Sequence, residues 1–214
     1  MAAEGSDLIM KFNDEHNKPI KAESTTRLLF SSNQQLLTGF KEGYMFEVDR
    51  FNFQAGIADD STKTNAKQPN AQAKNAKGAG TIAAPGGFQA WRAGKMVHYP
   101  VDMQPVSFTR AIDAASQVLM QNCIDCKGYK RASLIKRKAV GGKAAGEVYL
   151  RFDFINVLVI SIDWSNDDEV EETCHFICRS VTISYCPQLP DGSLGAIIPG
   201  FWPMVPTDTQ PPLE

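Results

Sequence analysis

Hydrophobic and polar residues change their spacing twice between Val106 and Ile162, and the changes predict a strand, a helix and two further strands. The helix is predicted to begin after Asp113, a typical N-cap residue, and Gly128 offers a stop. Its apolar stripe is formed by Ala115, Val118, Leu119, Asn122, Cys123 and Cys126. A helix with one apolar stripe must cover it, so we expect this helix to lie on the neighbouring sheet.

The run that follows the helix alternates with a period of two. On one side of the strand stand Val148, Leu150, Phe152 and Phe154, and between them Tyr149, Arg151 and Asp153. This period is typical of a sheet with two different faces. We expect the helix to cover one face of this sheet and a neighbouring subunit to cover part of the other.

Shorter runs predict further strands towards the N-terminus. Leu8 to Phe12 is predicted to be a strand that ends in a polar turn at Asp14 to Pro19. Thr25 to Gly43 is irregular, and a strand, a single helical turn or a docked loop all fit it. Tyr44 to Phe53 alternates with a one-residue change of phase, which indicates a bulge or a strand buried on both faces.

The last long run also changes phase. The turn predicted at Asp163 to Asp168 is followed by an acidic stretch that includes Glu171 and Glu172, typical of a solvated hairpin end. Beyond it, one face carries Cys174, Phe176 and Cys178, and the opposite phase carries Val181, Ile183 and Tyr185. Apolar groups on both sides of a strand need two apolar environments, and an oligomer interface would supply the second.

Composition changes abruptly between the two halves of this pattern. A segment at about 56–105 is rich in Ala, Asn, Gln, Lys and Gly and predicts a long loop insertion. Its basic first half lacks aromatic residues for base stacking, so a solvated linker is favoured over a nucleic-acid contact. The second half carries Phe88, Trp91, Met96, Val97 and Tyr99, which can dock on the body or on a neighbouring subunit. The tail at about 203–214, whose last part PTDTQPPLE contains three prolines, predicts no regular structure.

Overall composition is that of one globular domain: 214 residues, 43% hydrophobic and 21% charged. The formal net charge of −2 indicates no field that would recruit nucleic acid or an anionic membrane. The N-terminal residues resemble no signal peptide, and no apolar run reaches about 18 residues. We therefore expect folding in the cytoplasm, no membrane insertion, and any export to proceed without a cleaved signal.

Candidate chemistry is limited to the cysteines. Cys123-x-x-Cys126 and Cys174-x-x-x-Cys178, with His175 nearby, are compatible with a zinc site or a redox pair. Their places on the helix stripe and on one strand face favour packing residues instead. The three histidines accompany no nucleophile, phosphate-loop or metalloprotease motif. The sequence predicts no catalytic residue, no metal and no cofactor, and so a protein that is not an enzyme.

Several ordered segments resemble the Hcp family, the inner-tube proteins of bacterial type VI secretion systems. They are FTRAIDAASQVLM, the Lys127-Gly128 turn, LIKRKAVGGKAAGEVYLRF and INVLVISI, flanked by DLIMKFNDEHNKPIKAES and SVTISYCPQLPDGSLGAIIPGFW. Ala22 stands where the family usually has Gly, and the insertion is longer than the family's. The resemblance implies a mainly β protein, a compact antiparallel barrel or sandwich with one helix over residues 1–214.

The resemblance also implies partners. Members of this family form hexameric rings that stack into a hollow tube, and a contracting sheath expels the tube. The implied partners are sheath, spike and baseplate proteins and secreted effectors. The residues predicted at subunit interfaces are Phe51, Phe53, Trp91, Tyr99, Val181, Ile183 and Tyr185. Two alternatives remain open: the inner tube of a related contractile particle, such as a phage tail or an extracellular injection system, and a zinc or thiol protein that uses Cys123, Cys126, Cys174 and Cys178.

Overall fold

The computed structural model describes residues 7–24, 34–57, 82–92, 95–140, 143–166 and 170–203. The helical elements are a 3-10 helix (Gln34–Leu37) and α1 (Ala114–Ile124). The strands are β1 (Leu8–Asn13), β2 (Phe46–Val48), β3 (Arg50–Asn52), β4 (Ala55–Ile57), β5 (Ile82–Arg92), β6 (Lys95–Met103), β7 (Val106–Ala111), β8 (Tyr129–Val140), β9 (Lys143–Asn166), β10 (Val170–Ile177), β11 (Ser180–Tyr185) and β12 (Ile198–Pro203). The strand–helix–strand–strand order predicted after Val106 is confirmed.

Nine of these strands form one antiparallel, barrel-like arrangement in the order β2-β1-β8-β9-β10-β7-β3, with β11 on β9 and β12 on β11. Strand β9, 24 residues long, belongs to two sheets. Its first part pairs with β8 and β11, and its last part pairs with β10. We call the layer β12-β11-β9-β8-β1-β2 sheet I and the layer β9-β10-β7-β3 sheet II. The predicted antiparallel β class with one helix is confirmed.

The phase change predicted near Phe51 is a passage between the two sheets. Strand β2 pairs with β1 in sheet I, whereas β3 pairs with β7 in sheet II. Asp49, between them, donates its N–H to the Thr109 carbonyl at 2.9 Å. The chain therefore crosses a corner here, and its side chains keep facing one interior.

The same explanation corrects our interpretation of the last long run. Strand β10 ends at Ile177 in sheet II, and β11 begins at Ser180 in sheet I. Val181 is 1% exposed and belongs to the same core as Cys174 and Phe176. The two phases thus serve one apolar environment, because the strand changes sheet between them, and no second protein is needed to explain them.

Aromatic rings fill the centre of that main core. Phe12 lies between the rings of Phe46, Phe108, Tyr129 and Phe176, with centroid separations of 5.0–6.1 Å. Helix α1 covers this core with Ala115 and Leu119, both fully buried. Side-chain burial on this scale is the main source of a domain's stability.

A second apolar cluster lies on the other face of sheet I. It contains Ile9, Leu36, Met45, Ile135, Val148 and Cys186. Leu36 comes from the 3-10 helix, so the chain itself covers these positions. The sequence predicted a neighbouring subunit on part of this face; at these positions the same chain is found instead.

The segment at about 56–105, predicted as a loop, contains strands. Strands β4, β6 and β5 form a three-stranded sheet in that order, with Arg92 opposite Lys95. The register shift between Ala84 and Phe88 absorbs the Pro85-Gly86-Gly87 step, which hid the strand in the sequence. The basic half of the insertion lies outside the described residues, as does the tail beyond 203.

Helix α1 has 11 residues, and no helix in the described part of the chain is long and apolar enough to cross a membrane.

Candidate assembly surface

An apolar face continues from the main core across β9, β11 and β12. Residues directly opposite each other in antiparallel strands share a face. Three rows follow from the register: Phe154–Val181–Trp202, Phe152–Ile183–Gly200 and Leu150–Tyr185–Ile198. We call these nine residues the β11–β12 face.

Exposure rises along this face from the core to the solvent. Phe154 and Val181 are 0% and 1% exposed, whereas Tyr185, Ile198 and Trp202 are 42%, 57% and 50% exposed. A contiguous exposed apolar patch of this kind marks a surface for another macromolecule. The exposed residues of the β11–β12 face, Tyr185, Ile198 and Trp202, are therefore the candidate contact surface.

Two phenylalanines pack along the inner margin of this face. Phe51 and Phe53 lie 5.4–6.2 Å, centroid to centroid, from the rings of Phe152 and Phe154. Both are half-buried against the main core. They support the face from within the chain.

The structure thus brings five of the seven predicted interface residues to one sheet face and its margin. Val181 lies in the core, Ile183 is half-buried and Tyr185 reaches solvent. Trp91 and Tyr99 lie in β5 and β6, and their side chains lie outside the described set. The interface assignment stays a prediction for all seven.

Sequence reasoning missed Ile198 and Trp202, which are the most exposed large apolar residues of the β11–β12 face. Both sit in the run IPGFWP, where Pro199, Gly200 and Pro203 disguise a strand. The indole of Trp202 covers Gly200, where an added Cβ would overlap the ring. Ile198, Gly200 and Trp202 stand at alternate positions, and this period of two could have indicated a strand.

The outer edge of β12 resists pairing with another strand. Pro199 and Pro203 lack the N–H that a further strand would need, and prolines on an edge strand oppose strand addition. We therefore expect a partner to contact the side chains of the β11–β12 face, and not to add a strand to the edge of β12.

A buried ion pair anchors α1 and sheet II. Arg110 Nε donates to Glu172 Oε1 at 2.9 Å, and both residues are at most 1% exposed. The same guanidinium donates to Ser116 Oγ, pairs with the helix-capping Asp113 and lies 4.0 Å over the Phe46 ring. The prediction of a solvated hairpin end was wrong for Glu172, because β9 runs on to Asn166 and the pairing turns Glu172 inward.

A second buried pair fixes the 3-10 helix on the far face of sheet I. Arg151 donates to both carboxylate oxygens of Asp153, at 2.7 and 2.8 Å. Its other nitrogen donates to the carbonyls of Leu36 and Thr38. Ser133 Oγ donates to Asp153 at 2.7 Å. Sheet I is thereby held rigid behind the β11–β12 face.

The cysteines divide by exposure. Cys174, Cys178 and Cys186 are buried, and burial raises the pKa of each thiol, that of Cys178 to about 12. Cys123 is half-buried, whereas Cys126 is exposed beyond the end of α1, so its predicted packing role was wrong. The part of the chain that the structure describes holds no group of three or more His, Cys, Asp or Glu placed to bind a metal.

Comparison with known proteins agrees with this architecture. Residues 83–186 match the family model described as "Type VI secretion system effector, Hcp". The protein Hcp1 of Pseudomonas aeruginosa is 35% identical over 96 residues, which cover 44% of this chain and 58% of that relative. The central part of the chain, residues 83–186, is therefore similar to the Hcp family. The matched region runs from β5 to just beyond β11 and includes α1.

Solved Hcp structures share the fold. A variant of Hcp1 from E. coli EAEC 042 has a TM-score of 0.57 at 17% identity, over 92% of this chain and 99% of that one. A type VI secretion effector from Yersinia pestis has a TM-score of 0.52 at 16% identity, over 92% and 99% of the two chains. At these identities the likeness establishes the Hcp fold of this chain.

Proposed function

We propose that this chain is the structural tube subunit of a type VI secretion system and forms hexameric rings that stack into a hollow tube. The match to the Hcp family model supports the proposal, since it includes β9, α1 and β11, and the strands β9 and β11 carry part of the β11–β12 face. The subunit assembles in the cytoplasm and leaves the cell when a sheath contracts. Its role is mechanical, and no catalytic step is assigned to it.

A cyclic ring needs two different patches on each subunit that meet head to tail. The exposed residues of the β11–β12 face, Tyr185, Ile198 and Trp202, supply one apolar patch. A second group of exposed apolar residues comprises Ile112, Trp164 and Val170, 39%, 51% and 45% exposed, at the far end of β9 and its partner strands. These two groups are the surfaces we assign to contacts between subunits, with Phe51, Phe53, Val181 and Ile183 supporting the first from within.

The further partners follow from the tube. Sheath, spike and baseplate proteins would contact the assembled rings, and the lumen would carry secreted effectors. The chain is proposed to bind neither nucleic acid nor membrane.

Native mass spectrometry with negative-stain imaging tests the proposal. We expect a hexamer and ring views for the native sequence. Ile198→Asp places a charge on the contact surface and is expected to leave monomers with an unchanged melting temperature. Gln117→Asp, on the exposed side of α1, is the matched control and should keep the rings. A monomer at high concentration without ring views would overturn the proposal.

A further inference from the structure

Cys126 occupies an unusual position at the end of α1. Its φ of 54° is left-handed, a conformation that favours glycine. Its N–H donates to the Cys123 carbonyl at 3.2 Å, and the Lys127 N–H donates to the Asn122 carbonyl at 2.8 Å. These two bonds form a Schellman motif with Cys126 at its C′ position. The helix thus ends by turning a cysteine side chain into the solvent.

The other cysteine of this turn is within bonding reach. A backbone bond of this kind closes a four-residue turn whose outer Cα atoms lie within about 7 Å. Disulfides span Cα separations of about 4.4–6.8 Å. Cys123 is half-buried and packs against the main core, whereas Cys126 is exposed.

Accessibility singles out this pair. All five cysteines are among the described residues, and Cys174, Cys178 and Cys186 are buried. A disulfide reagent therefore meets the exposed Cys126 first. On a chain built to assemble, an exposed thiol alone would invite cross-links between copies.

We propose that Cys123 is a resolving thiol for Cys126, and that the pair takes up low-molecular-weight disulfides and discharges them as an intramolecular Cys123–Cys126 bond. The Cys126 thiolate attacks one sulfur of the reagent and releases one thiolate. The Cys123 thiolate then attacks the Cys126 sulfur of the mixed disulfide and releases the second. The pair loses two protons and two electrons, and the reagent is reduced to two thiols.

The surroundings of Cys123 and Cys126 favour slow thiol–disulfide exchange and not catalysis. The pair lies at the C-terminal end of α1, on either side of the C-cap Asp125. Burial and the neighbouring Cys126 raise the pKa of the Cys123 thiol. Redox enzymes place the reactive cysteine of such a motif at the opposite end of a helix, its N-terminus. The pair is thus suited to protecting the surface and not to turnover.

Oxidised glutathione added to the purified full-length chain tests the proposal, with intact mass and a non-reducing gel as readouts. The native sequence should lose two hydrogen atoms and carry no glutathione. Cys123→Ser should keep one glutathione on Cys126 and form disulfide-linked dimers, and Cys126→Ser should not react. Cys123→Ala serves as a second variant should Cys123→Ser melt early.

A stable adduct or dimers with the native sequence, in the amounts seen for Cys123→Ser, would overturn the proposal, and so would a native chain that does not react. Native mass of the same samples reports ring formation separately. Failure of the thiol pair is therefore distinguishable from failure of the proposed tube.

Discussion

Trp164 Nε1 donates a hydrogen bond of 3.0 Å to Glu172 Oε2, so a half-exposed indole is held by a fully buried carboxylate. The other oxygen of Glu172 accepts from Arg110. The tryptophan of the second exposed apolar group is therefore fixed before any partner arrives. Fixed aromatic side chains lose little conformational entropy on binding, which is why they often anchor interfaces.

We expect Trp164→Phe to lower the free energy of unfolding by about 1–2 kcal/mol, because it removes the donor to a buried charged acceptor. Urea denaturation measures the change. Trp202→Phe is the matched control: Trp202 is equally exposed, and substitutions of exposed side chains usually change the stability little, so the loss should stay within about 0.5 kcal/mol. Equal losses in the two variants would contradict the role of the Glu172 bond.

Two neighbouring Arg–Glu pairs offer a sharper comparison of buried and exposed charge. We expect Arg110→Met to cost about 3–5 kcal/mol, because Glu172 would be left buried without its cation. Arg50→Met breaks an equally short pair, 2.8 Å from Glu171, with side chains 72% and 41% exposed. Water solvates both of those groups, so this variant should cost less than about 1 kcal/mol.

A double variant separates pairing from packing in that cluster. Arg110→Met with Glu172→Leu removes both charges and should recover part of the loss, since no uncompensated charge stays buried. Urea denaturation of the two single variants and the double variant gives the coupling energy. Purely additive losses would show that Arg110 contributes through its contacts with Asp113, Ser116 and Phe46, and not through Glu172.

Local patterns predicted the helix, its Asp113 cap and the long strands, because each depends on a few neighbouring residues. The side chain of Asp113 accepts from the Ala115 N–H, as an N-cap should. The middle parts of β8 and β9 were equally legible. These elements also carry much of the resemblance to the Hcp family. Val148 was placed on the wrong face, because a register shift between Lys136 and Arg137 turns it away from the face of Phe152 and Phe154.

The rest depends on which strand pairs with which. The phase change in the last long run predicted a second apolar partner, and the one near Phe51 a bulge or a strand buried on both faces. Corners between sheets produce the same pattern when the chain crosses from one sheet to the other. Glu172 looked like one carboxylate of a solvated run because its partner, Arg110, is 62 residues away. Such long-range pairing leaves no local signal, and it determines both the Arg110–Glu172 ion pair and the exposed residues of β12.

The end of α1 allows a stabilising change. Cys126 pays a steric cost at its left-handed φ of 54° that glycine does not. We expect Cys126→Gly to raise the free energy of unfolding by about 0.5–1 kcal/mol under reducing conditions. Cys126→Ala, which keeps a Cβ at the same φ, should give no gain. A gain of similar size from alanine would show that the sulfur, and not the backbone, was unfavourable.

Stability at alkaline pH should depend on Cys178. Burial raises its pKa from an ordinary 9.0 to about 12, whereas in the unfolded chain the thiol ionises near 9. The folded chain keeps a proton that the unfolded chain releases, so stability is constant below pH 9 and falls as the pH rises from about 9 towards 12. Between pH 7.5 and 10 this single group should cost about 1.4 kcal/mol.

The measurement is the free energy of unfolding at those two pH values, with reductant present. Cys174 and Tyr129 have pKa values raised in the same direction, so the native chain should lose more than one group's share. Cys178→Ala should lose about 1.4 kcal/mol less than the native chain between the two pH values, whatever its stability at pH 7.5. Cys126→Ala, which alters an exposed thiol, should lose as much as the native chain. If Cys178→Ala showed the native difference as well, the Cys178 thiol would not be the buried group that titrates on unfolding.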